Sequence, residues 1–503
     1  MKRFVFVLAA FLAVVSFQDA NAQGLGSIGR SIGNKVTGAA QNAARKGVQN
    51  AAQQAKEREA EKAEAQRKGS VTPVTFEGKE TYYVSLKGSN RNDGLTPQTA
   101  IKNLQKAIEV APENAVIKIA AGNYLGTLDV GYIEVKDKYL SLVGGYNEDF
   151  SDRDPFKYIT MIRPSEANVS TNGTKALLEL DIRKTENGLF LVDGIAFDLG
   201  EENLYAAANP QSDRNGCPEG CISGRIQAVG EGLGADGTMG GKTLGHQLMH
   251  GVVKGRLIVR NCTFTNGGYY GIQMMNLGSR WEIYNNVFVA NSYAACQIDD
   301  FTNKGGLTYV DFHHNTVLFS WCRTKLMEDM GFGFRFMSRV DADVHDNIFG
   351  CNNYGALEYT HKAPEKDIEA MRKVSVVDNK FFMNKSDILL PSASYMWLFI
   401  RCDQFEDVED LDVVENNVVL NDQAYFAKIN QPYLRGFTSI DVFKSESHDP
   451  NSAVNTFRSA MGMNMQGTET VRVSMYGNKY PFQEAFNLFG AYQGCGAQYT
   501  FEK

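Results

Sequence analysis

The amino-acid sequence predicts an all-β solenoid, because one short pattern recurs along the chain and has the internal period of a strand. In each copy an apolar residue is followed three positions later by an Asn, and a second apolar residue lies two positions after that Asn. The position of the Asn is called the slot below. Successive copies are 24, 29, 32, 32, 38 and 61 residues apart, within the range of spacings found in solenoid proteins, apart from the last. The slot holds Asn286, Asn315, Asn347, Asn379, Asn417 and Asn478, with Cys262 in the first copy.

The apolar positions on both sides of the slot define the strands. Their period of 2 predicts two short strands that meet at the Asn, a residue suited to sharp bends. Stacked about 4.8 Å apart, successive Asn side chains would hydrogen-bond one another. Helical repeats need a period of 3.6, and leucine-rich repeats need a Leu framework that is absent, so a parallel β-helix is predicted. The inward residues are Val259, Ile283, Phe312, Val344, Val376, Val414 and Met475 before the slot, and Phe264, Phe288, Val317, Phe349, Phe381, Val419 and Tyr480 after it.

Length and charge agree with a single elongated domain over residues 71–503. A solenoid grows along one axis and so escapes the usual size limit of a single core. The net charge is −7 over 503 residues and basic residues are not clustered, which excludes a nucleic-acid-binding footprint.

The first 22 residues are predicted to be a secretory signal peptide. Lys2 and Arg3 precede an apolar run, and Ala20-Asn21-Ala22 forms a small-residue cleavage site. The mature protein is therefore expected in the periplasm, on the cell surface or outside the cell. No later apolar run reaches 18 residues, so no transmembrane segment is predicted.

Residues 23–70 form a low-complexity segment rich in Ala, Gln and charged residues. This composition favours a partly helical spacer. The alternative is a helix that docks on an outer-membrane partner.

Residues 82–125 are predicted to begin the solenoid. An amphipathic helix through Ile101, Leu104, Ala107 and Ile108 would cover the open end of the stack, which otherwise exposes apolar surface. Several short motifs here resemble the N-terminal segment of right-handed parallel β-helix proteins of the pectate-lyase-like superfamily, including exported Bacteroidetes members. They are Tyr82-Tyr83-Val84-Ser85, Gly88-Ser89, Asn92-Asp93-Gly94, Pro97, Leu142-Val143-Gly144-Gly145-Tyr146 and Arg153-Asp154-Pro155.

This resemblance implies the handedness of the fold but not one function. The superfamily includes polysaccharide lyases, glycoside hydrolases and proteins without catalysis. The Asn-Thr-Asp, Asp-Asp, Gly-His-Gly and Arg-Ile-Lys set of polygalacturonase-type hydrolases is represented only by Asp299-Asp300, so that assignment fails.

A second set of strands is predicted after the Asn strands, at residues 271–276, 295–300, 333–338, 356–361 and 399–404. Alternation points one residue of each strand outward and places further polar residues at the strand ends. The outward column is Gln273, Gln297, Arg335, Glu358 and Arg401, and the strand ends add Asp299, Asp300, His361 and Asp403.

These residue types suit the chemistry of uronic acids and other sugars. Arg binds a carboxylate through two parallel hydrogen bonds, and carboxyl groups serve as acid, base or Ca²⁺ ligands. The predicted catalytic residues are Glu358, Asp299 and Asp403. Substrate binding is predicted for Arg335, Arg401, Gln273, Gln297 and His361, and a possible Ca²⁺ site for Asp299 and Asp300. The alternative is an ordinary ladder of paired polar side chains on an exposed sheet.

The remaining His and Cys residues receive structural interpretations. His313, His314 and His345 lie beside Asn slots and are interpreted as turn residues. His246 and His250 fall within a predicted long loop at 205–255 that could line a cleft. Cys217 and Cys221 are the best candidates for a disulfide, and Cys296 and Cys402 are predicted to be core residues.

The sequence therefore predicts an exported parallel β-helix that acts on an acidic extracellular polysaccharide, as a lyase or a glycoside hydrolase. The alternative is a non-catalytic surface platform that binds glycan or protein.

Overall fold

The computed structural model describes most of the chain from residue 74 onward. The signal peptide, the spacer at 23–70, Cys217, Cys221, His246, His361, Asn478 and most of 205–255 lie outside the described residues. Those described are 74–125, 133–163, 176–184, 188–199, 205–206, 227–228, 247–267, 270–291, 293–300, 308–321, 331–336, 339–359, 373–391, 397–408, 411–438, 449–465 and 480–502.

Three long sheets, named here A, B and C, run along the molecule. Sheet A contains β1 Thr81–Val84, β2 Val116–Ala120, β5 Ser141–Tyr146, β8 Leu189–Asp193, β13 Arg256–Arg260, β16 Arg280–Tyr284, β19 Thr308–His313, β22 Val340–His345, β25 Val374–Val377 and β29 Val413–Glu415. Sheet B contains β3 Gly122–Leu125, β6 Thr160–Arg163, β9 Ile195–Asp198, β14 Thr263–Thr265, β17 Val287–Val289, β20 Thr316–Leu318, β23 Ile348–Gly350, β26 Lys380–Phe382 and β30 Val418–Val419. Sheet C contains β4 Ile133–Lys136, β7 Leu178–Ile182, β12 Gln247–Val253, β15 Tyr270–Asn276, β18 Ala294–Asp300, β21 Phe332–Phe336, β24 Gly355–Tyr359, β27 Ile388–Pro391 and β28 Trp397–Ile400. A separate antiparallel pair joins β10 Tyr205–Ala206 to β11 Gln227–Ala228.

Each complete turn of the chain contributes one strand to each sheet, and neighbouring turns pair in parallel. The predicted apolar column lies inside as far as Phe381, with Phe264, Phe288, Val317, Phe349 and Phe381 as partners in successive strands. Val419, the next partner, was predicted inside but is exposed in the last turn. The rings of Phe264 and Phe288 stack with centroids 4.9 Å apart, and those of Phe349 and Phe381 lie 5.6 Å apart. The parallel β-helix predicted from the repeats is confirmed.

The Asn slots form the predicted ladder between sheets A and B. The side-chain amide of Asn286 donates to Oδ1 of Asn315 at 3.1 Å, and Asn315 donates to Asn347 at 3.2 Å. Asn347 continues to Asn379 at 2.9 Å, and Asn379 to Asn417 at 3.1 Å. Because these amides are buried, each hydrogen bond also satisfies a polar group that would otherwise be costly.

The bend itself occurs one residue before the slot, so the prediction that the slot Asn makes the sharp turn is wrong. Left-handed backbone is adopted by Asn261, Asn285, His314, Asp346, Asp378 and Asn416, with φ between 51° and 56°. Asn and Asp enter this region more readily than most other residues. The side-chain amide of the slot Asn can therefore point along the stack and hydrogen-bond the Asn of the next turn.

The predicted N-terminal helix is present as α1, Leu104–Val110. Asn103 begins it by accepting a hydrogen bond from the Lys106 amide at 3.1 Å. Leu104, Ala107 and Ile108 are buried, and α1 contacts β1, β2 and β4, the first strands of sheets A and C. Its role as a cap remains a prediction.

The repeat pattern predicted that the stack continues to the copy at Asn478, but the chain forms helices after β30. After β30 the described part of the chain forms four α-helices, α2 Gln423–Phe426, α3 Gln431–Thr438, α4 Ala453–Ala460 and α5 Phe482–Ala485. Their apolar residues form a second core on the outside of sheet B. Tyr480, which the repeat pattern places in the inward column, instead packs against Tyr433 in this second core, with centroids 5.2 Å apart. Among the helices that the structure describes, none is long and apolar enough to span a membrane.

Candidate functional site

The outer face of sheet C carries one uninterrupted column of in-register residues. Alternation turns Ile272 and Met274 into the core and leaves Gln273 between them on the outside. The partners of Gln273 in neighbouring strands extend this column over eight turns. The column is Glu134, Glu179, His250, Gln273, Gln297, Arg335, Glu358 and Leu389.

His250 and Glu179 form a hydrogen-bonded pair on this face. Nδ1 of His250 lies 2.6 Å from Oε1 of Glu179, and their side chains are 22% and 12% exposed. Oε2 of Glu179 accepts a second hydrogen bond from the Ala176 amide at 3.1 Å, which fixes the carboxylate. When neutral His250 donates from Nδ1, the lone pair resides on Nε2, the form required of a general base.

The sequence analysis missed His250 because it assigned residues 205–255 to a loop. The structure places β12 within that range, directly before the sheet A strand β13. The same order recurs in the next turns, where β15 precedes β16 and β18 precedes β19. A strand immediately before the first copy of the repeat could therefore have been predicted.

Asp299 lies beside the column and joins two of its members. Gln273 donates to Oδ2 of Asp299 at 2.6 Å, and Gln297 donates to Oδ1 at 2.7 Å. Both glutamines are buried, whereas Asp299 is partly exposed. The carboxylate is thus held at the edge of the face, where it can accept further hydrogen bonds from a bound molecule.

Arg335 and Glu358 form a buried ion pair one turn apart. The exposed fractions of their side chains are 6% and 0%. The Arg335 guanidinium also donates to the Tyr293 hydroxyl and lies 5.3 Å from the ring centroid of Tyr293 and 5.2 Å from that of Phe332. Burial is the largest single effect and lowers the pKa of Arg335, but the Glu358 carboxylate and the Tyr293 and Tyr270 hydroxyls together raise that pKa overall.

The placement of Arg401 and Asp403 in the column is wrong. The strand predicted at 399–404 is instead the end of β28, which pairs antiparallel with β27, followed by a 3-10 helix at Cys402–Asp407. Leu389 of β27 occupies the position next to Glu358. Arg401 donates to the Asn384 carbonyl at 2.6 Å, and Asp403 is exposed on the 3-10 helix.

An offset that recurs in most turns could have located β27, although β21 begins at Phe332, 17 residues after Asn315. Sheet C strands begin eight residues after the slot at Tyr270, Ala294 and Gly355, and nine residues after Asn379 at Ile388. The start at Phe399 that we predicted is more than twice as far from its slot as these.

The predicted Ca²⁺ site gains no support from the described residues. Both carboxylate oxygens of Asp299 accept hydrogen bonds from glutamine amides, and the Asp300 side chain lies outside the described part of the chain. The one described group of three or more convergent His, Cys, Asp or Glu ligands lies elsewhere, on the outer face of sheet A at its corner with sheet B.

Comparison with known proteins agrees with the architecture. Residues 250–397 match the family model described as the right handed beta helix region. Together with the three parallel sheets, this match shows that the chain is a right-handed parallel β-helix protein. A search of curated proteins finds no significant match to the chain.

Three solved structures resemble parts of the chain at low identity. Pectate lyase Pel9A has a TM-score of 0.33 and 10% identity, and the match covers 62% of this chain and 77% of that chain. XylC in complex with xylose has a TM-score of 0.25 and 11% identity, and covers 67% of this chain and 65% of that chain. A rhamnogalacturonan lyase has a TM-score of 0.25 and 12% identity, and covers 66% of this chain and 89% of that chain. At these TM-scores the three structures say nothing about the substrate of this chain.

Proposed function

We propose that the protein is a lyase that cleaves an acidic extracellular polysaccharide along the outer face of sheet C. The observation that carries this proposal is the His250–Glu179 pair, which places a partly exposed imidazole in the continuous polar column of that face. The partly exposed side chains on and beside this column, among them Glu134, His250 and Asp299, lie in turns stacked about 4.8 Å apart, which suits an extended polymer rather than a small molecule.

His250 would act as the base in β-elimination. Its Nε2 would take the proton on the carbon next to the sugar carboxylate, the C–O bond to the leaving sugar would break, and a C=C bond would form between the two ring carbons. The departing oxygen would take up a proton from water and leave as a hydroxyl group. Glu179 positions the imidazole and stabilises the imidazolium that results. Asp299 and Gln273 would hydrogen-bond sugar hydroxyls beside it.

A hydrolase is less well supported by the described carboxylates. Glycoside hydrolysis needs a carboxylic acid and a second carboxyl group facing the same bond. Glu358 is fully buried and paired with Arg335, and Glu179 is paired with His250. Catalysis by Glu358 or Asp299 remains a prediction, and the burial of Glu358 favours a supporting role for it.

Substitution of the pair tests this proposal. His250→Ala should reduce turnover about 10²- to 10⁴-fold, the usual contribution of a general base, without lowering the thermal midpoint. Glu179→Gln should reduce turnover less, because the amide oxygen can still accept the Nδ1 hydrogen but no longer stabilises the imidazolium with a full charge. Glu406→Gln, which removes an exposed charge on the 3-10 helix after β28 and outside the column, serves as the control. Unchanged turnover in His250→Ala would exclude it as the base.

A non-catalytic glycan-binding platform is the second candidate. The observation that favours it is the mutual pairing of polar side chains on the face, as in His250 with Glu179 and Arg335 with Glu358. Binding of a polysaccharide without any turnover by the wild-type protein would support the platform and contradict the lyase.

We also propose that the protein is exported and that residues 23–70 link it to an outer-membrane partner. The basic start, apolar run and Ala20-Asn21-Ala22 site support export. Mass spectrometry of fractionated cells should find a mature chain that begins at Gln23 outside the cytoplasm, and deletion of 23–70 should release it from the membrane fraction. An intact Met1 in a cytoplasmic protein, or unchanged fractionation of the deletion variant, would contradict the respective proposal.

A further inference from the structure

A second cluster of polar side chains lies on the outer face of sheet A, at its corner with sheet B. Two successive turns each contribute two adjacent residues to it, His313-His314 and His345-Asp346. His313 and His345 are register partners, and their rings are parallel with centroids 4.7 Å apart. His314 and Asp346 follow them at the left-handed position, with φ of 51° and 55°. The four side chains therefore form a two-by-two array fixed by the repeat.

The ligand atoms of the three histidines converge, and the Asp346 carboxylate lies against one of them, His345. Nδ1 of His313 lies 2.9 Å from Nδ1 of His314, and Nδ1 of His345 lies 2.8 Å from Oδ2 of Asp346. One ligand atom from each of the three histidines lies within 4.8 Å of the others. All three side chains are partly exposed, so an ion could reach them.

The other ring nitrogen of His345, Nε2, also has a hydrogen-bond partner. Its Nε2 lies 3.1 Å from Oδ1 of Asp311 on the preceding turn. In this structure both ring nitrogens of His345 therefore donate to carboxylates, Nε2 to Asp311 and Nδ1 to Asp346. An ion bound at Nδ1 would displace that hydrogen, and the carboxylate at Nε2 would then hold the ring as it does in metal-bound histidines. Asp311 would thus position His345 without touching the ion.

We propose that His313, His314, His345 and Asp346 bind Zn²⁺. Three imidazole nitrogens and one carboxylate oxygen suit zinc in a four-coordinate, tetrahedral arrangement. Zinc–nitrogen bonds of about 2.0–2.1 Å place tetrahedral ligand atoms about 3.4 Å apart, so the histidine nitrogens, now within 4.8 Å of one another, would have to draw closer. The parallel rings of His313 and His345 would have to tilt until their in-plane lone pairs meet at the ion, and the Asp346 carboxylate would have to turn toward it. This site lies on a different sheet from the sheet C face and does not depend on the proposed lyase activity.

The repeat itself supplies substitutions that should preserve the fold. Asn occupies the position of His314 in three other turns, as Asn261, Asn285 and Asn416, all with left-handed backbone. Tyr284 occupies the position of His345 two turns earlier, and its ring stacks on His313 with centroids 4.8 Å apart. His314→Asn and His345→Tyr therefore remove ligands while keeping residues that this corner accommodates.

Zinc binding by the full chain without a histidine tag tests the proposal, by equilibrium dialysis with metal analysis and by titration calorimetry. The wild-type protein should bind one zinc that His314→Asn and His345→Tyr each weaken at least about tenfold. Asp311→Asn should weaken it about 10- to 100-fold, and the control His250→Ala should retain it. Cobalt added in place of zinc should give the visible absorption of a tetrahedral site in the wild type but not in His345→Tyr.

Two results would overturn the proposal. The first is a wild-type chain that retains no zinc after dialysis. The second is an unchanged zinc affinity in both His314→Asn and His345→Tyr, which would place any bound zinc at other residues.

Discussion

At the scale of single residues, the two faces of a strand follow from alternation, but depth of burial does not. Alternation predicted that Gln273, Gln297, Arg335 and Glu358 share one outward column, and the structure places them there. The full burial of Glu358 depends on its surroundings, with Arg335 against Tyr293 and Phe332. Such three-dimensional contacts leave no local signal in the sequence.

The Arg335–Glu358 pair yields a stability prediction. Glu358→Gln should lower the free energy of unfolding by about 3–5 kcal/mol, because it leaves a buried guanidinium without its counter-charge. Arg335→Met combined with Glu358→Gln should recover part of this loss, since no unpaired charge remains. Denaturant unfolding measures the free energy of unfolding of both variants. A Glu358→Gln variant as stable as the wild type would show that the ion pair is not desolvated.

The proposed zinc ligands show which part of a site the sequence repeat can predict. His313 and His345 are 32 residues apart, the same spacing as Asn315 and Asn347. Equal offsets from the slot place both on one column, so their proximity follows from the sequence. Their ring orientation does not, because it depends on side-chain rotamers and on Asp311.

At the scale of elements, regular turns could be predicted and departures from them could not. The Asn slot located strands of sheets A and B from β13 to β30, because burial and the amide ladder impose the pattern in every turn. The helices α2 to α5 pack on the outside of sheet B instead of continuing the stack. Their amphipathic residues do not follow the period that defines the repeat.

The C-terminal segment 495–502 acts as a strap along the corner between sheets A and B. The Gly496 amide donates to the Asp346 carbonyl at 2.8 Å, and Asn285 donates to the Thr500 carbonyl at 3.1 Å. Arg260, which is ion-paired to the buried Asp193, also contacts Glu502 at 2.9 Å. Cys495 and Ala497 are buried in the second core.

Removal of residues 495–503 should therefore lower the thermal midpoint clearly, because it exposes apolar surface and leaves the corner polar groups without these partners. Glu502→Gln is the matched control. It removes only a contact of a side chain that is 59% exposed, so its effect should be within about 1 kcal/mol. Equal midpoints for the truncated and full chains would show that the strap is not part of the folded unit.

At the scale of the whole molecule, both proposed sites result from the stacking of consecutive turns along one axis. Residues at equal offsets in consecutive turns become neighbours on one face, so a solenoid converts a sequence repeat into a row of side chains. On sheet C this row reaches from Glu134 to Leu389. On sheet A the same rule assembles the proposed zinc ligands.

The most direct test of the proposed activity is a panel of acidic and neutral polysaccharides incubated with the wild-type protein. New reducing ends and the ultraviolet absorbance of the unsaturated product should be measured together. A lyase creates one reducing end and one C=C bond at each cleavage, so on an acidic polysaccharide both signals should rise in equal amounts. Reducing ends without absorbance, or no cleavage of any polymer in the panel, would contradict the account.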